Sequence, residues 1–170
     1  MASGASKSAA FVLLILNVLL YFIMTVIATW AMNHGIQLSR ETASALPIPA
    51  RIFPIYFPIG NTVTGFFVFF AILAGVVGIT TSLTGLHNLL QLNLPHLQAA
   101  TTSSLTSLAF TLLAMGFASK EIDIGWTDSN LRTLEVVTIM ASVSQLFCTV
   151  AIHSGLEEAL MQFRRLTGVV

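Results

Sequence analysis

Four apolar stretches, parted by short polar or proline-rich connections, occupy most of this sequence, and each is long enough to cross the hydrocarbon of a bilayer as a helix. Inside hydrocarbon the backbone must satisfy its own N–H and C=O groups, so stretches of this length and composition form helices that pack together. The expected fold is therefore all-α, a polytopic membrane protein built as a four-helix transmembrane bundle. It is read as one transmembrane domain over residues 1–170, with helices at about 9–32, 62–87, 95–119 and 129–154. Composition agrees, since 55% of the residues are hydrophobic and only 8% charged, outside the range of soluble domains. The lipid bilayer is the first partner that follows.

The first apolar run starts after a short polar leader carrying Lys7 and is too long for the hydrophobic region of a secretory signal, so it reads as a retained span. Asn17, Tyr21, Thr25, Thr29 and Met32 recur along it at helical spacing, as an interhelical hydrogen-bonding seam or as the lining of a substrate path. Residues 33–60 then form the longest connection, with Pro47, Pro49, Pro54 and Pro58 breaking any helix. Within it Arg51 stands among Phe53, Tyr56 and Phe57, a mixture that settles at a membrane interface and could also gate a cavity.

The second helix opens on aromatic residues and thins to Gly75, Gly78, Ser82 and Gly85, small side chains that let another helix approach closely. The third carries Ala100, Ser104, Ser107, Thr111, Ala114 and Ala118 at alternating steps of four and three. The two small-residue stripes are expected to pack face to face. So small a chain is also compatible with a homo-oligomer, for which the glycine face of the second helix is the expected contact.

Lys120 to Glu135 gathers Lys120, Glu121, Asp123, Asp128, Arg132 and Glu135 around Trp126, between two long apolar segments. Ionisable groups are kept at the edge of hydrocarbon by pairing or by function, so this connection is the first candidate site. One reading is an interfacial network of Lys120, Glu121, Arg132 and Glu135 that fixes two helix ends. The other is an anion entrance, with Arg51, Lys120 and Arg132 as a cationic lure, Trp126 as an apolar wall and Glu135 exchanging a proton. From Glu135 a polar stripe continues down the fourth helix through Thr138, Ser142, Gln145, Thr149 and His153, and Ser142 and Gln145 are candidate ligand contacts. Residues 156–170 read as a short amphipathic tail at the interface.

Several classes fall away. A formal net charge of +0, with no basic run, gives nucleic acid nothing to bind. The lone Cys148 cannot form an intrachain disulfide, a redox pair or a structural zinc site. His87, His96 and His153 fall at span ends without other ligand types beside them, so neither a metal nor a cofactor is expected. The sequence offers no nucleophile set, catalytic carboxylate pair or phosphate-binding glycine loop, and enzyme activity is not expected. Four spans place both termini on one side; Lys7 ahead of the first helix favours the cytoplasm, although Arg40, Arg51, Lys120 and Arg132 lie opposite.

Four segments carry a family likeness: SRETASALPIPARIFPIYFPIGN from Ser39, TSLTGLHN from Thr81, LLAMGFASKEIDIGWTDSNLRTLEV from Leu112 and AIHSG from Ala151. With the first helix they span nearly the whole chain, which closely resembles the plant abscisic-acid-induced plasma-membrane proteins, the AWPM-like family. The resemblance implies a four-span plasma-membrane protein induced by abscisic acid in seeds and under drought or cold, and associated with uptake of that hormone. It supplies no binding residues. Two functions follow from it: a facilitator of abscisic acid entry, or a non-transporting structural or adaptor tetraspan protein that supports the membrane or its partners during dehydration or cold. The second predicts polar helix faces wholly packed against one another.

Overall fold

The computed structural model describes residues 3–45, 62–91, 94–125 and 129–167. It contains four helices, α1 (Ser3–Ala45), α2 (Thr62–Gln91), α3 (Leu94–Ile124) and α4 (Ser129–Thr167). Each is long and apolar enough to cross a membrane. Successive helices run antiparallel and pack as neighbours, and α4 closes the ring on α1. The protein is a four-helix membrane bundle.

The helices outrun the apolar stretches that predict them. The span of α1 was expected to end near residue 32 and the connection to begin at 33, but the helix continues to Ala45. Nothing between Asn33 and Ala45 forces a stop except Gly35, and a single glycine costs a helix only about 1 kcal/mol. The end falls shortly before Pro47, where proline excludes helix from its predecessor. At 1.5 Å per residue the 43 residues of α1 reach about 64 Å, roughly twice the hydrocarbon thickness, so its last turns stand clear of the core. Phe53, Tyr56, Phe57 and Arg51 lie outside the described residues.

The charged connection is also shorter than expected. Lys120 to Ile124 belong to α3, because this stretch contains no helix breaker before Gly125. Gly125 ends the helix at φ 76°, its N–H shared between the carbonyls of Glu121 and Ile122. A side chain there would be strained, so the stop requires glycine. At the other end of the bundle α4 does not hand over to a separate tail at 156; the same helix runs on to Thr167.

The glycines of α2 make their closest approach to α1 and not, as expected, to the small residues of α3. A Cβ on Gly75 would strike Thr25, one on Gly78 the ring of Tyr21, and one on Gly85 would lie 3.2 Å from Leu14, all residues of α1. The glycine face is thus buried within the chain and is not free to serve as an oligomer contact. Helices α2 and α3 still pack as neighbours, with Ser82 and Gly85 beside Ala100 and Ser104 at one level and Phe70 stacked on Phe117 at 5.2 Å at another. The α3 stripe from Ala100 to Ala118 is buried along its length, facing α1 and α4.

Two apolar clusters build the core. One, around Ala10, Leu14, Leu97, Cys148 and Ile152, lies at the end where the termini are. The other, around Tyr21, Met24, Phe67, Ala114 and Leu134, fills the opposite half. Between them lie Asn17, Ser82, Ser104, Ser107 and Gln145, all buried and polar.

Candidate functional site

The polar stripe of α4 becomes the axis of the site because its steps of three and four average close to the helical repeat. Glu135, Thr138, Ser142, Gln145 and Thr149 are all buried. The further step of four to His153 carries that residue off the face, where it is exposed and pairs with Glu157 at 3.3 Å. On α1 the expected run at steps of four drifts in the same way: Asn17 and Tyr21 are buried, while Thr29 is exposed.

These residues bond across the bundle. Asn17 donates from Nδ2 to Gln145 Oε1 at 2.8 Å, and Gln145 Nε2 donates to the carbonyl and hydroxyl of Ser104, both at 3.1 Å. The Ser104 hydroxyl is also 2.7 Å from that of Thr149. Tyr21 reaches the diagonally opposite helix, its hydroxyl 2.7 Å from Thr111 Oγ1 and 3.3 Å from Ser107 Oγ. Ser142 donates to the carbonyl of Thr138 at 2.8 Å. The seam is closed on itself: most of its groups are satisfied by one another or by backbone carbonyls, as burial requires. Asn17 Oδ1 and Ser144 Oγ are buried without a partner. Leu14, Ser82, Ser104 and Gln145, one from each helix, meet beside the seam and leave no space there large enough for a water molecule.

The seam ends, on the side away from the termini, in two carboxylates. Glu121 is fully buried; its Oε1 accepts a 2.7 Å hydrogen bond from Thr64 on α2, and its Oε2 has no partner. Glu135, on α4, is also buried and lies near enough for the charges of Glu121 and Arg132 to act on it. The cations do not join them. Lys120 binds Asp123 at 2.6 Å on the surface, and Arg132 is exposed. Among the described residues the four-charge network expected here does not form, because the helical turn of about 100° between Lys120 and Glu121 leaves the first exposed and the second buried. Of the candidate ligand contacts, the structure brings Glu135, Ser142 and Gln145 into one seam and leaves Lys120 and Arg132 on its rim; Arg51 and Trp126 lie outside the described residues.

Glu121 is the residue that sequence reasoning treated as part of a surface network. The signal was present: the α3 stripe steps by four and three from Ala100 to Ala118, and the next step of three lands on Glu121. Reading the charge as the end of a span, and not as the continuation of a buried face, hid it. No group of three or more His, Cys, Asp or Glu side chains suited to a metal ion occurs among the described residues.

Comparison with known proteins gives a consistent result. Membrane protein PM19L of rice, Oryza sativa subsp. japonica, is 34% identical over 155 residues, which cover 91% of this chain and 82% of that protein. No solved structure matches the chain. Residues 15–155, from the first third of α1 past the end of the polar stripe on α4, match the AWPM-19-like family. The chain is a membrane protein that belongs to the AWPM-19-like family.

Proposed function

We propose that this protein resides in the plasma membrane of plant cells, with its termini in the cytoplasm, and facilitates entry of abscisic acid during stress and seed dormancy. It does so without enzymatic chemistry. The observation that carries the proposal is Glu121, a carboxylate wholly inside a membrane bundle with one oxygen unpartnered. Such a group opposes stability and is retained in spans chiefly where a substrate, ion or proton must be handled. Glu135 beside it and the neutral seam beyond it extend a polar track from the end opposite the termini toward the other side. Arg132, exposed on the rim, would raise the local concentration of an organic anion, whereas the charge of Lys120 is offset by Asp123. The family resemblance, with its association with abscisic acid uptake, supports the same reading.

Uptake of labelled abscisic acid into proteoliposomes tests it, against protein-free vesicles and vesicles holding an unrelated four-span protein. The expected result is faster uptake with this protein and a loss of that excess in Glu121→Gln. Equal rates in all three preparations would refute the transport function.

A second reading is favoured by the closure of the seam. Asn17 with Gln145, Ser104 with Thr149, and Tyr21 with Thr111 bond directly, as a structural or adaptor tetraspan protein would require. On that reading the protein lowers vesicle leakage through a drying and rehydration cycle and gives no hormone uptake.

A further inference from the structure

The path proposed above is charged only at its mouth. Among the described residues Glu121 and Glu135 are the only buried carboxylates, and no lysine or arginine is buried. From Thr138 to Thr149 the buried polar groups are hydroxyls and amides. A carboxylate anion entering this interior would lose its hydration and gain no cation in exchange, a poor trade in a low dielectric. An uncharged acid brings no charge to desolvate, and its hydroxyl can donate to Asn17 Oδ1, the acceptor of the seam that has no partner, without breaking a bond the seam already makes.

The mouth discriminates in the same sense. Glu121 Oε2 is an unpartnered acceptor in a fully buried side chain. The groups facing Glu121 are Thr64 from α2, already committed to Oε1, and Glu135 from α4, itself flanked by exposed Arg132; Lys120 and Asp123 on its own helix pair at the surface. A protonated carboxylic acid or a hydroxyl brings the O–H donor that Oε2 lacks. An anion brings only further acceptors against two carboxylates. We infer that the species passing through this bundle is the uncharged, proton-bearing form of a carboxylic acid, admitted by donating to the free oxygen of Glu121 and handed to a neutral hydroxyl and amide seam. The inference rests on the uptake function proposed above. It makes transport electroneutral, with the substrate as the carrier of its own proton and exposed Arg132 serving only to gather the anion.

The test measures protein-dependent uptake of labelled abscisic acid in proteoliposomes at fixed, equal internal and external pH, with the membrane potential set by valinomycin and potassium gradients of either sign. One net charge moved with the substrate would change accumulation roughly 50-fold over about 100 mV. The expected result is uptake unchanged by potential, inhibited by an excess of the uncharged primary amide of the hormone and not by a sulfonate analogue that stays anionic. Uptake that follows the potential, or equal inhibition by the sulfonate, overturns the inference while leaving uptake itself established. Uptake no faster than in protein-free vesicles at every potential overturns the transport function, and this inference with it.

Discussion

Replacing Gly78 by alanine tests the joint on which the seam is hung. The added Cβ would lie on Cγ, Cδ2 and Cε2 of Tyr21, well inside the ordinary carbon separation of about 3.5–4.0 Å, so ring and helix must part by roughly 1 Å. Tyr21 has nowhere to go: it is fully buried, and its hydroxyl is held by Thr111 at 2.7 Å and Ser107 at 3.3 Å. Either the packing absorbs the overlap, at about 1–3 kcal/mol, or the ring moves and gives up bonds that in a membrane average about 0.6 kcal/mol each. Alanine returns about 1 kcal/mol of helix propensity. The net expectation is destabilisation by about 1–2 kcal/mol. Gly116→Ala is the control, because a Cβ there meets nothing within 4 Å, and it should stabilise by up to about 1 kcal/mol. Reversible unfolding in mixed detergent and SDS micelles would measure both, and equal stabilities for the two variants would refute the close approach of α1 and α2.

Three further outcomes follow from the same geometry. Tyr21→Phe should cost about 0.6–1.7 kcal/mol in that assay, the range for interhelical hydrogen bonds in membranes, and should cost less in the Gly78→Ala background, since the two share one contact. Gln145→Leu strips partners from Asn17 and Ser104 together, with an expected loss of about 1–3 kcal/mol for the groups left bare, read by unfolding and by faster amide exchange in the middle of α1. Gly125→Ala forces a side chain into φ 76° with no contact to relieve or oppose it; a loss of about 1–2 kcal/mol, partly restored in Gly125→Asn, would be seen by thermal denaturation in detergent.

The number, order and direction of the helices were legible because bilayer thickness and backbone hydrogen bonding leave few alternatives for apolar runs of this length. The α4 stripe was legible for a related reason: steps of three and four stay on one face, and Glu135 to Thr149 are buried together. Helix ends were not legible, since hydropathy marks where lipid stops and not where helix stops; α1 continues past residue 32 and α3 past Ser119. Nor was the partner of the glycine face. Small residues say that something approaches closely, and only the ring of Tyr21, filling the space above Gly78, says that it is α1. Glu121 was hidden by its neighbour, because Lys120 turns outward to Asp123 while Glu121, one residue on, turns inward to Thr64.

The same inward turn allows stability and function to be separated in one variant. Thr64 and Glu121 are a buried polar pair with one carboxylate oxygen unsatisfied, and replacing both partners of such a pair by apolar groups of the same shape is nearly neutral or stabilising, the more so where it removes a buried charge that no cation pairs. Thr64→Val with Glu121→Met keeps the volumes close, removes the lone acceptor and relieves Glu135 of a like charge. Thr64→Val alone leaves both oxygens of the carboxylate bare, and should destabilise by about 1–3 kcal/mol. The double variant is therefore expected to unfold at higher SDS fraction than wild type while losing protein-dependent uptake of abscisic acid. If the carboxylate served only to hold α2 against α3, the double variant would be less stable than wild type and the single variant no worse than the double. A more stable protein that also took up hormone at the wild-type rate would remove Glu121 from the path altogether.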